Sequence, residues 1–322
     1  MLKFKPILKS LVWGGEQIIP FKGIKSTRRH VGESWELSGL AGHESIVANG
    51  PDRGLTLREL IHRDGERLIG KANFKRYGED FPLLVKFIDA NHDLSIQVHP
   101  NDRLARRRHG CSGKSEMWYI VSAEKDAHLR VGFKEEVTPD EYEKAVEEDR
   151  ITELLQDYPV QAGDLFYLPA GRIHTICAGT FLVEIQQSSD ITYRIYDYNR
   201  PGADGQPREL HTDLARKAID YSVQEDYRSH YEPKANAPVE LTHNEHFTST
   251  LFELTEELVF NASELDSFVI VVCTEGEGSL TNEHGETITI HRGETVLIPA
   301  ETTHLKMTPK SEQLTLLTAW VE

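Results

Sequence analysis

At 322 residues, 39% hydrophobic and 27% charged, the chain is long enough for two domains and ordinary in composition for a globular protein. Its 36 Lys and Arg stand against 52 Asp and Glu, a net charge of −16, which excludes nucleic acid and an anionic membrane surface as main partners. Three scattered cysteines (Cys111, Cys177 and Cys273), no apolar run of membrane-spanning length and no signal-like N-terminus indicate a reduced, cytoplasmic protein.

In chain order, helical periodicity first appears in TLRELIHRDGERLIG, with Thr56 as N-cap and Glu59 three residues on, the spacing of a capping box. FPLLVKFIDA and LSIQVHP follow as strands, rich in Val, Ile and Phe and ended by Asn, Asp or Pro. Gln97 and His99 lie two apart in the second of these, so they share a strand face. The basic run RLARRRH, Arg103 to His109, reads as a solvated helical face. EMWYIVSA is a strand with Glu116, Trp118 and Ile120 on one face, and Lys114 precedes Glu116 by two. TPDEYEKAVEEDRITELLQ begins a second helical segment, with Thr138 as cap and Pro139 at the first helical position. LFYLPA and TFLVEIQQ are strands, and the latter puts Leu182, Glu184 and Gln186 on one face and Phe181, Val183 and Ile185 on the other. LHTDLARKAIDYS is a third helical stretch, and SFVIVVCTE, ETITIHRG, TVLIPA and LTLLTAWVE close the chain as strands.

Two of these segments repeat. GDLFYLPAGRIH (Gly163 to His174) matches GETVLIPAETTH (Gly293 to His304), an offset of 130, and VSAEKDAHL matches VCTEGEGSL at an offset of 151. The difference of 21 residues fits an insertion in the first copy, where the Thr138 segment sits. A Gly-acid turn, a strand, then Pro and His is the pattern of cupin barrels. The expectation is a mainly β protein of two cupin-type jelly-roll barrels with inserted helices. Residues 1–235 would form the catalytic unit, with helical insertions at about 133–158 and 208–222, and residues 236–322 a second unit without metal.

Inward residues of neighbouring strands meet in a small barrel. Gln97, His99, Glu116 and His174 would therefore supply two imidazoles, a carboxylate and a carboxamide to one divalent ion per chain. That mixed N/O set suits zinc, with Mn, Fe, Co and Ni as rivals. Each residue taken singly has a plainer role, as a hydrogen-bonded core side chain or a surface ion pair. In the second unit His304 matches His174, but Ser267 stands where Glu116 does and no Q-x-H precedes it. Glu184 on a polar interior face is a candidate general base or else a buried paired carboxylate. Arg194, Arg200, Lys86 and Lys114 are candidate cations for a phosphate, and the absence of a P-loop or G-x-G-x-x-G leaves nucleotide binding unsupported.

FPLLVKFIDANHDLSIQVHPND, GKSEMWYIV, PAGRIHTI and EIQQSSDITYRIYDYNR, followed by RELH, resemble type I mannose-6-phosphate isomerase in its shorter bacterial form, as do LVWGG and GESWELSG. The likeness runs to about residue 212 and on through the second unit; Ser115 departs from it, since many relatives carry Pro before the Glu. The resemblance implies zinc ligands Gln97, His99, Glu116 and His174, and interconversion of mannose 6-phosphate and fructose 6-phosphate through a metal-stabilised cis-enediol. It also points to a catalytic carboxylate at Glu184 and makes Arg194 look like the family's catalytic Arg. Lys86 and Lys114, cations near the metal residues in sequence, are expected to contact substrate, with Lys114 and Arg194 among the catalytic and substrate-binding groups alike. The expected partner is a small phosphorylated sugar and the expected state a monomer or homodimer. Competing expectations are a metal-binding bicupin sugar sensor and an Fe-dependent cupin dioxygenase. A dioxygenase would favour a His-rich set, so Gln97 counts against it; intact Glu184 and Arg194 count against a sensor.

Overall fold

Short β-branched and aromatic runs ended by Gly, Pro or Asn form antiparallel strands, which assemble into four sheets in the computed structural model; it describes residues 1–202 and 205–322. In the first half, a six-stranded sheet runs in spatial order 7–15, 31–37, 83–90, 180–187, 116–123 and 165–168. It packs on a five-stranded sheet of order 193–196, 96–98, 174–176, 128–133 and 155–159. Trp118, Ile120 and Leu182 from the first meet Leu129, Val131 and Ile176 from the second.

The second half repeats that order. Strands 295–298, 269–275, 314–320, 248–254 and 238–243 stand where 165–168, 116–123, 180–187, 83–90 and 31–37 stand in the first half. Its smaller sheet of 258–261, 304–309, 277–282 and 287–291 answers the five-stranded one. The protein is thus mainly β, with two cupin-type double-sheet units and inserted helices. Each unit is an open pair of sheets rather than a hydrogen-bonded cylinder, because the edge strands of the two sheets do not pair. One strand crosses over: Leu2 and Lys3 pair with Leu297 and Val296, so the N-terminus is stitched into the far unit.

Alternation buries both faces of the central strand 180–187. Leu182 points into the first unit, while Phe181, Val183 and Ile185 join Phe247, Ile270 and Leu317 in a core shared by the two large sheets. Helices fill the connections. The Thr56 capping box forms as expected, but the helix Leu57–Asp64 stops at Gly65 (φ 48°), and the chain restarts as Glu66–Ile69 and Lys71–Tyr77. The Thr138 box starts Pro139–Glu147, between the strands 128–133 and 155–159. The basic run is the helix Asp102–His109, capped by Asn101; it buries Leu104 and Ala105 and exposes its arginines in part. LHTDLARKAIDYS yields only Thr212–Arg216. No helix among the described residues is long and apolar enough to cross a membrane.

Candidate metal centre and substrate pocket

Strand register brings the sequence-expected ligands together. Gln97 lies opposite His174 in the five-stranded sheet, and Glu116 opens the strand of the six-stranded sheet that faces it. His99 follows immediately on strand Ile96–Val98. All four are buried or nearly so, and atoms of His99, Glu116 and His174 lie within 4.8 Å of one another. The His99 Nδ1 donates to the carbonyl of Ile191 at 2.9 Å, and the His174 Nδ1 to that of Arg172 at 2.8 Å. Those bonds select the tautomer whose Nε2 carries a lone pair. The two Nε2 atoms then face Glu116, 3.6 Å from Oε2 and 3.2 Å from Oε1. The Gln97 carboxamide lies 3.4 Å from the same His174 Nε2.

The charges suit a cation. Burial holds the His99 imidazole well below its ordinary pKa, aided by the Lys114 charge, and burial takes His174 down to about 3, so both rings are neutral. Burial raises the Glu116 carboxyl to about 7, with the Glu184 charge adding to the rise. Neither Glu116 oxygen accepts a well-aligned hydrogen bond, although the Lys114 ammonium stands 2.7 Å from Oε2. A fully buried carboxylate without aligned donors, two imidazole lone pairs and a carboxamide form a donor set that fits a divalent ion.

Beside this cluster lies a second charged group. Glu184 is opposite Lys86 on one side and Trp118 on the other. Lys86 Nζ donates to Oε1 at 2.9 Å and Trp118 Nε1 to Oε2 at 3.0 Å, and Lys114 Nζ is 3.8 Å away. Burial opposes ionisation of Glu184, but the Lys114 and Lys86 ammonium charges outweigh it and bring the carboxyl to about 2. Lys86 is raised in turn, as the Glu184 charge overcomes its burial.

A cavity of ≈ 210 Å³ reaches this cluster, lined by Gln97, Lys86, Lys114, Glu184, Arg194 and Arg208 and walled by Trp13, Trp35 and Leu94. Lys86, Lys114, Glu184 and Arg194 therefore share one pocket with the expected ligand Gln97; Arg200 does not line it. The arginines of the 102–109 helix lie outside it as well. A larger space of ≈ 490 Å³ at the junction of the units, near Tyr119, Tyr231 and Glu253, is lined by none of Gln97, Lys86, Lys114, Glu184 and Arg194, which gather at the smaller cavity. Sequence reasoning gave no role to Arg208, although it opens the quoted RELH motif, nor to Ser95, which alternation places two residues before Gln97. In the second unit His304 is exposed and Ser267 is buried, bonding Asn73 and the Val321 amide. The space between its sheets is filled by Val269, Val271, Leu280, Met307 and Leu316.

Two family models match the chain: phosphomannose isomerase type I, catalytic domain, over residues 1–151, and mannose-6-phosphate isomerase, cupin domain, over 239–314. The mannose-6-phosphate isomerase ManA of Bacillus subtilis is 36% identical over 309 residues, covering 92% of each chain. The mannose-6-phosphate isomerase of Streptococcus mutans is 38% identical over 200 residues, 62% of this chain and 61% of its own. A crystal structure of the Bacillus subtilis mannose 6-phosphate isomerase superposes with a TM-score of 0.88 at 30% identity, covering 99% of this chain and 98% of that one.

Proposed function

The chain belongs to the type I mannose-6-phosphate isomerase family and interconverts mannose 6-phosphate and fructose 6-phosphate, and we propose that it does so around one zinc ion held by Gln97, His99, Glu116 and His174. The observation that carries this reading is the buried Glu116 carboxylate facing two lone-pair imidazole nitrogens, beside a pocket lined by Gln97, Lys86, Lys114 and Glu184. The ion would supply a fixed positive charge against the negative charge that develops on the sugar oxygens.

The protein's own groups account for the proton movements. Aldose to ketose requires loss of the C2 proton, gain of a proton at C1, and transfer of the hydroxyl proton from O2 to O1 through a cis-enediol. We assign the carbon-bound proton to Glu184, which is ionised and lines the pocket. A carboxylate held near 2 is a weak base at rest, so sugar oxygens must draw Lys86 away from Glu184 before it can accept that proton. Lys114 is assigned the oxygen-side transfer and Arg194 the developing charge on oxygen, with Lys86, Lys114 and Arg194 holding the substrate.

We take residues 1–235 as the unit that carries this site and 236–322 as a cupin-like unit without an ion. The three free cysteines support a cytoplasmic location. The homologues do not favour the sugar-sensor and iron-dioxygenase readings. The test is a coupled assay of mannose 6-phosphate conversion before and after chelation, beside metal analysis of the purified protein. Turnover that disappears with the ion and returns with added zinc is the expected result; no turnover at full occupancy overturns the proposal.

A further inference from the structure

The wall of the pocket formed by the 193–196 strand and the segment after it is built around a single carboxylate. Asp197 is 5% exposed and accepts from two arginines. Arg200 reaches Oδ1 through Nε at 3.1 Å and Nη2 at 2.7 Å. Arg208 grips both oxygens, Nε to Oδ2 at 2.7 Å and Nη2 to Oδ1 at 2.6 Å. This fork uses two of the three nitrogens of Arg208 and leaves Nη1 for another acceptor. Arg200 braces the carboxylate without lining the pocket, whereas Arg208 lines it beside Arg194. Backbone pairing fixes that neighbourhood, since the His211 amide donates to the Arg194 carbonyl at 2.7 Å.

Arg194 itself has no carboxylate within ion-pair distance among the described residues; its Nη1 donates to the Glu209 carbonyl at 2.9 Å and its buried Nε has no partner. Two other carboxylates line the cavity, Glu33 and Asp190, and neither pairs with Arg194 or Arg208; Glu33 accepts from Trp35 Nε1 at 2.6 Å. Among the described residues, Arg200 and Arg208 thus share the one carboxylate Asp197, and Arg194 beside them pairs with none. Burial and then the Arg208 charge lower the pKa of Arg194, as expected for like charges held together. The Lys86 and Lys114 charges, by contrast, are matched by Glu184 and Glu116 at the reacting end.

We propose that Arg208, held in its fork by the positioning residue Asp197, binds the phosphate dianion of the hexose phosphate, with Arg194 supplying the second positive charge of that wall. This rests on the isomerase reading above and adds the group that selects a phosphorylated sugar over a neutral one. A dianion suits two guanidinium groups placed side by side on one wall, and a hexose 6-phosphate carries it at the far end from C1 and C2. A bidentate guanidinium contact with phosphate is geometrically specific as well as strong.

The experiment compares wild type with Arg208→Gln, Arg208→Lys, Asp197→Asn and Asp197→Glu in the full chain, metal-loaded, with melting temperature as a fold check. Arg208→Gln is expected to raise KM for mannose 6-phosphate by about tenfold to a hundredfold, with kcat changed by less than about threefold. Calorimetric titration with inorganic phosphate should show a similar loss of affinity. Asp197→Asn should raise KM without touching the proton-transfer step, and Asp197→Glu and Arg208→Lys should recover part of the loss. If Arg208→Gln binds inorganic phosphate and mannose 6-phosphate as the wild type does, the proposal is wrong although the isomerase reading survives. If the wild type does not isomerise mannose 6-phosphate, the isomerase reading fails, and the phosphate titration alone then decides whether Arg208 binds the anion.

Discussion

His174 and Gln97 face each other directly across two antiparallel strands, with the His174 Nε2 3.4 Å from the Gln97 carboxamide. One backbone register therefore sets two of the four expected ligands, and the imidazole is held by the Arg172 carbonyl behind it. Outer partners of metal ligands alone are worth about 10–100-fold in affinity. Glu116→Ala should accordingly lose more than about 100-fold in zinc affinity, with turnover lost alongside, and Gln97→Ala should lose about 10–100-fold. Competition with a chromophoric chelator measures both. Wild-type zinc affinity in Glu116→Ala would remove this centre.

Arg194 should separate ion binding from turnover. It lines the pocket and its Nη1 is bonded to the Glu209 carbonyl rather than to an expected ligand, so Arg194→Ala should keep full metal content. Loss of a preorganised donor to developing charge costs about 10²–10³ in kcat. Metal analysis and steady-state kinetics on the same preparation check this, and undiminished kcat would strip Arg194 of its assigned role.

Glu184 is tied to Lys86 and Trp118, so its replacement has two consequences. Glu184→Gln leaves the buried Lys86 ammonium without its counter-charge, and breaking a buried pair costs about 3–5 kcal/mol. As the proton carrier it should also cost about 10²–10⁴ in kcat with metal retained. Exchange of the C2 proton of mannose 6-phosphate with deuterium oxide, followed by NMR, reads the carbon acid step directly. Exchange at the wild-type rate in Glu184→Gln would leave the carboxylate a purely structural role.

The parts of this site that alternation governs were readable from the residues. Gln97 with His99, and Glu116 with Trp118, follow from period two on a strand, and the Pro-Ala-x-x-x-His repeat located His174 and announced two related units. The two helix starts at Thr56 and Thr138 were readable because capping boxes are local. What escaped depends on partners distant in sequence. Leu2 pairs with Leu297 at the other end of the chain, and nothing near residue 2 marks it as an edge strand of the far sheet. The break at Gly65 hid inside a good amphipathic pattern. Arg208 looked like any charged loop residue until Asp197, eleven positions earlier, was seen to hold it.

Asp89 gives a pH prediction away from the proposed metal ligands. It is 1% exposed on strand Leu83–Ala90 and accepts from the Gln17 amide at 2.7 Å; a Cβ added to Gly15 would stand 2.2 Å from its Oδ2, so glycine is needed there. Burial pushes its carboxyl up to about 6 from 3.8, against those hydrogen bonds. A carboxyl raised on folding binds more protons in the native than in the unfolded state between those two values, so its contribution favours folding at the acid end and is lost as pH rises through 6. About two pKa units correspond to at most about 3 kcal/mol. Asp89→Asn removes this term, so the stability of the variant relative to wild type should improve by about 1–3 kcal/mol between about pH 4 and pH 7. Urea unfolding of both proteins at the two pH values measures the difference. An unchanged gap would mean that Asp89 titrates normally, and that the Gln17 amide and its neighbours stabilise the carboxylate fully against its burial.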